Sequence, residues 1–99
     1  MSEITSARKV LRVFKALKGH TLNGVSNAAL AKGLGMSASL VSRAVDTLIA
    51  EGLAQRLDNG NYALSAAAIG IAVAHAEEMA NASARINEIS QRVQAAALR

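Results

Sequence analysis

The sequence contains no cysteine and no proline. Without cysteine there are no disulfides, no thiolate-bound zinc and no thiol nucleophile, which fits a reducing compartment. Without proline nothing interrupts long helices, and a Pro-rich linker is excluded. Aromatics are scarce: Phe14 and Tyr62 stand alone, and two separated rings cannot form a base-stacking platform for single-stranded nucleic acid. The longest wholly apolar run, residues 66–74, is far shorter than the ~20 residues a membrane span requires. Met1-Ser2-Glu3 lacks the positive-then-apolar layout of a secretory signal. A soluble, cytoplasmic protein with no membrane contact is the expectation.

What is present is alanine and positive charge. The 99 residues allow one small domain with one appended element. Apolar residues make up 52%, but 22 of them are alanines, suited to close helix contacts rather than a deep core. A chain this small has little core to spare, so a partner chain is an early expectation. The net charge of +4 is uneven. In residues 1–64, Arg8, Lys9, Arg12, Lys15, Lys18, Lys32, Arg43 and Arg56 outnumber Glu3, Asp46, Glu51 and Asp58. In residues 65–99 the charges balance. With a pI near 10.1, a polyanion is the first partner to consider.

Residues 4–18 read as an amphipathic helix. Val10, Val13, Phe14 and Leu17 recur at helical spacing on one face, opposite Arg8, Arg12, Lys15 and Lys18. A short second helix starts at Ser26 or Asn27 and stops at Gly33-Leu34-Gly35. Ser37 then caps a third helix over residues 38–51, closed by Gly52. Its wheel sets Val41, Ala44, Val45 and Leu48 on one face and Ser39, Arg43 and Asp46 on the other. Extended segments at 53–57 and 61–64 flank Asp58-Asn59-Gly60, and the Asn-Gly pair predicts a type I′ hairpin turn.

From residue 65 to 99 the chain favours helix, with Gly70 the one exception. A seam runs through Met79, Ala82, Ile86, Ile89, Val93 and Ala96 at alternating steps of three and four. Leu64, Ala68, Ile71 and His75 extend it upstream, with a stutter before Met79. A helix of that length reaches about 50 Å, more than residues 1–64 can cover. The seam, with Ile71, His75, Met79, Ala82, Ile86, Ile89 and Val93 as its contacts, predicts an oligomer, most simply a dimer. The competing layout is a helix folded back near Gly70 or Asn81.

The order of helix, glycine turn, helix and hairpin is that of a winged helix-turn-helix, mainly α. Its core is Leu30-Ala31-x-x-Leu34-Gly35-Met36-Ser37, followed by Val41 and Ala44; alanine at 31 permits close packing and Gly35 supplies a positive φ. More closely, residues 8–64 resemble the N-terminal DNA-binding domain of IclR-type transcription regulators. The matching stretch begins Asn27-Ala28-Ala29-Leu30, continues through Ser37, Ser39, Val41 and Arg43, reaches Gly52-Leu53, and closes in Tyr62-Ala63-Leu64. Two departures stand out. Ala38 occupies a position where such regulators often carry a base. Family members also continue into a large ligand-sensing domain, which these residues do not include, so no small-molecule effector is expected. The resemblance implies double-stranded DNA as partner and residues 1–64 as the binding domain, with residues 65–99 as an oligomerisation helix in the position of the family's linker helix.

On that reading the third helix enters the major groove. Arg43 suits a bidentate contact to guanine O6 and N7, or a surface ion pair with Asp46 three residues on, and both can hold. Ser37, Ser39 and Ser42 could reach bases or phosphates. Arg56, Asn59 and Asn61 belong to the wing, although Asn59 is also what the turn itself requires. Lys32, Arg8 and Arg12 suit phosphates, which position without specifying.

Nothing marks an enzyme. His20 and His75 lie in different elements without nearby carboxylates, and Gly33-x-Gly35 lacks the remainder of a dinucleotide site. His75, on the seam, reads as an interfacial residue rather than a metal ligand. No cofactor or metal is expected. The expected function is therefore a small dimeric transcription regulator, bacterial or phage-encoded. The alternatives are a DNA-binding component of a larger phage packaging or partition assembly, and a protein-interaction adaptor built on a winged helix.

Overall fold

A computed structural model describes residues 2–98. Its elements in order are α1 (Thr5–Ala16), α2 (Asn27–Leu34), α3 (Ala38–Ala50), β1 (Ala54–Arg56), β2 (Tyr62–Leu64) and α4 (Ala66–Ala97). The fold is mainly α, a winged helix-turn-helix with a long helix after the wing. The chain divides into two compact units, Met1–Ile69 and Gly70–Arg99.

The first unit holds the core. Val13 and Leu17 from the region of α1, Leu30 from α2, Val41, Ala44, Val45 and Leu48 from α3, and Ala54 and Tyr62 from the hairpin form one buried cluster. Val10 and Phe14 pack half-buried against it. All four positions of the apolar face expected on α3 are buried. Burial of the valines and leucines among them contributes about 1.5–3 kcal/mol each.

Local chemistry sets the element ends. Ser26 caps α2, its Oγ accepting from the Ala29 N–H at 3.1 Å, and Ser37 caps α3 through the Leu40 N–H at 3.1 Å. Between them Gly35 takes φ +65, the left-handed conformation that ends α2. First-helix order is shorter than expected: α1 stops at Ala16 and the chain turns to Gly19 rather than continuing to residue 18.

The hairpin corrects the expected type I′ turn, which needs positive φ at both Asn59 and Gly60. Among the described residues only glycines have positive φ, and Gly60 carries it here, at +86. The Gly60 N–H donates to the Leu57 carbonyl at 2.9 Å and the Leu57 N–H to the Asn61 carbonyl at 2.8 Å. This is a three-residue loop with its glycine in the bulge position. Asn59 accepts the Asn61 N–H on its side-chain oxygen at 2.9 Å, which closes the loop without a left-handed asparagine.

The hairpin is also tied backwards. Val25 and Tyr62 exchange both backbone hydrogen bonds at 2.9 Å, an antiparallel bridge beside β2. Gly24, at φ +70, permits it: a Cβ there would lie 2.7 Å from Asn61 Cβ and 3.0 Å from the Tyr62 carbonyl.

The long helix starts at Ser65, whose Oγ accepts from the Ala68 N–H at 3.1 Å and donates to the Gly52 carbonyl at 2.5 Å. Leu64, expected as the first seam residue, lies instead in β2 against the core, and Ala68 is buried. The first unit thus extends beyond Leu64 to Ile69. From Gly70 to Leu98 every residue is exposed. The helix continues through Gly70 and Asn81 without a break.

Candidate nucleic-acid interface

The outward face of α3 is free. Ser39, Arg43 and Asp46 are exposed and Ser42 is half-buried at their flank. The alternative partner weighed for Arg43, Asp46, is not paired with it: among the described residues the one ion pair joins Arg92 to Glu88. Arg43 therefore presents its guanidinium fork without an internal carboxylate, the geometry a bidentate acceptor requires. Arg43 and Asp46 border an open groove of about 760 Å³, whose other wall is Thr5, Ser6 and Lys9 from the start of α1.

The cations of α1 and α2 are spread. Arg12 and Lys15 border a second, shallower groove with Gly33 and Leu34 of α2. Arg8, Lys18 and Lys32 are exposed. Lys9 is thus the base of α1 that meets the α3 groove, and the amphipathic wheel alone did not single it out.

The serines differ in what they have left to offer. The Ser37 oxygen is engaged as the α3 cap. Ser42 Oγ accepts from Asn27 Nδ2 at 2.9 Å, and the same nitrogen donates to the Ala38 carbonyl at 3.1 Å. Ser39 makes no side-chain hydrogen bond among the described residues and is fully available.

On the wing, the asparagines brace rather than reach. Asn59 Nδ2 and Asn61 Nδ2 both donate to the Asn23 carbonyl, at 3.0 and 3.1 Å. Arg56 remains exposed, its Nη2 donating to the Tyr62 hydroxyl at 3.2 Å and its guanidinium 5.3 Å from the ring centroid. Tyr62 thereby aims the one wing cation. Sequence reasoning missed Asn23, Asn27 and this use of Tyr62. A polar residue at the first position of a short helix was the only visible signal for Asn27.

Two helices joined through a left-handed glycine, the second with a free polar face and a hairpin after it, define a winged helix-turn-helix, a DNA-binding module. The IclR helix-turn-helix domain matches residues 6–58, over half of the chain, and the protein belongs to that family. The crystal structure of HmgR from Pseudomonas aeruginosa is similar at 32% identity over 77% of this chain, with a TM-score of 0.66. This chain spans 32% of that one. A mutant of ZitR from Lactococcus lactis is more distant: 17% identity, TM-score 0.46, covering 93% of this chain and 63% of that one. No curated protein sequence matches this chain.

Proposed function

We propose that the protein is a sequence-specific double-stranded DNA-binding transcription regulator that acts as a dimer. The observation that carries the reading is the outward face of α3, where Arg43 stands exposed and free of Asp46 beside Ser39. In the major groove Arg43 reads guanine through O6 and N7. Ser39 and Ser42 add contacts at its side, and Asp46 disfavours a phosphate at its own position. Lys32, Arg8, Arg12 and Lys9 neutralise phosphates, Ser37 approaches the backbone from the helix start, and Arg56 meets it from the wing.

Dimerisation rests on α4. At about 1.5 Å per residue its 32 residues reach about 48 Å. Ile71, Met79, Ile86, Ile89 and Val93 are between 46% and 66% exposed. Upstream of Met79 the stripe steps back by four to His75 and by four again to Ile71, the stutter in an otherwise regular seam that runs on through Ala82 to Ala96. A second copy of the same helix covers this stripe with the same stripe. Pairing also fixes the spacing of two recognition helices, as a palindromic site demands.

Selection of bound duplexes from a random pool tests both halves of the reading. A palindromic motif with guanine at a fixed place in each half-site is the expected result. Binding that ignores sequence removes the specific reading, and absence of binding at low salt removes the DNA reading.

A further inference from the structure

Asn27 opens α2, yet its side chain serves α3. Its Nδ2 donates to the Ala38 carbonyl at 3.1 Å and to Ser42 Oγ at 2.9 Å, so both amide hydrogens are used. The orientation is determined by its partners: exchanging oxygen and nitrogen would set Oδ1 against the Ala38 carbonyl, acceptor to acceptor. The Oδ1 itself is buried without a hydrogen-bond partner. Such an arrangement is poor glue, since an apolar residue would join the two helices without orphaning an acceptor.

The consequence falls on Ser42. One of its lone pairs is held by Asn27, and its hydroxyl hydrogen donates to nothing among the described residues. The side chain is half-buried on the flank of the exposed α3 face, next to Arg43. We infer that Asn27 is a positioning residue for sequence readout: it holds Ser42 as an outward hydrogen-bond donor to an acceptor on a base edge. In the major groove those acceptors are a purine N7, guanine O6 or thymine O4, whereas cytosine presents an amino donor. The inference rests on the DNA-binding reading proposed above.

The test compares sites selected from random duplexes by the full-length protein, Ser42→Ala, Asn27→Ala and Asn27→Asp, with thermal unfolding recorded for each. Ser42→Ala and Asn27→Ala should lose preference at the same single position, by about three- to tenfold, and keep the remainder of the motif. In Asn27→Asp the carboxylate turns away from the Ala38 carbonyl, which it would otherwise face acceptor to acceptor, and accepts the Ser42 hydroxyl hydrogen, so that Ser42 turns a lone pair outward. Preference at that position should then move towards a base presenting an amino group. Should Asn27→Ala be too unstable to assay, the change of preference in Asn27→Asp decides alone.

An unchanged motif in folded Asn27→Ala overturns the inference, as does a loss spread evenly over all positions, which marks a phosphate contact or a mere brace. If Ser42→Ala alters the motif and the Asn27 variants do not, only this inference falls. If the unsubstituted protein selects no motif, the reading beneath it falls as well.

Discussion

Residues up to Ile69 and residues from Gly70 onward are both rich in alanine, the second more so, yet they solve the problem of burial differently. The first unit gathers Val13, Leu17, Leu30, Val41, Val45, Leu48 and Tyr62 into one core. The second buries none of its described side chains, leaving Ile86 63% exposed. What separates them is periodicity combined with interruption. Gly19, Gly35, Gly52 and Gly60 turn the chain back on itself with positive φ, so short apolar faces meet. Gly70 lies inside a helix and turns nothing. Helicity from propensity alone grows with length, and the 32 residues of α4, rich in alanine, give the second unit its order without a core of its own.

The sharpest way to break this contrast is to damage one unit and watch the other. Leu17→Ala removes a fully buried side chain and should cost about 2–5 kcal/mol in denaturant unfolding. A loss under about 1 kcal/mol would mean that α1 is peripheral to the core. The converse change, Ile86→Glu with Ile89→Glu, sets charges in the seam. It should halve the mass measured by sedimentation while leaving the near-native unfolding of the first unit in place. An unaltered mass would show that the exposed stripe of α4 is not the contact between copies.

Smaller effects sharpen the picture within the first unit. Gly24→Ala should cost about 1–2 kcal/mol for left-handed backbone alone, with a further loss from the 2.7 Å approach to Asn61 Cβ. Chemical-shift changes should centre on Val25 and Tyr62. Arg43→Ala should cost about 1–3 kcal/mol of discrimination at one base pair, read from competition between matched and mismatched duplexes. Lys32→Ala should weaken binding evenly across sequences and lower the salt slope by about one. An effect confined to a single base position would place Lys32 on a base instead.

Legibility in the sequence follows the same division between local and distant. The caps at Ser26 and Ser37, the left-handed Gly35 and the buried face Val41, Ala44, Val45 and Leu48 are consequences of neighbours within one helical turn, and residue spacing reveals them. The Val25–Tyr62 bridge, the Asn23 carbonyl that gathers Asn59 and Asn61, and the Asn27–Ser42 link join residues far apart in the chain. No periodicity announces them. The hairpin turn lay between these cases. Asn-Gly correctly marked its place, but the Asn59 side chain bonding the Asn61 N–H, and the tether to Asn23, favour a bulged three-residue loop over two left-handed residues. The candidate surface was legible as a face of α3, whereas its freedom from Asp46 required coordinates.

Tyr62 carries a consequence of a different sort. It is the only tyrosine in a chain without tryptophan, and it is 4% exposed, bridged to Val25 and overlain by Arg56. Excited beyond the phenylalanine band, the intrinsic fluorescence of the protein therefore originates in the wing. Lifetime and quenching of that one ring report whether the hairpin is docked and whether Arg56 still lies over it, so the molecule carries its own optical label in the wing.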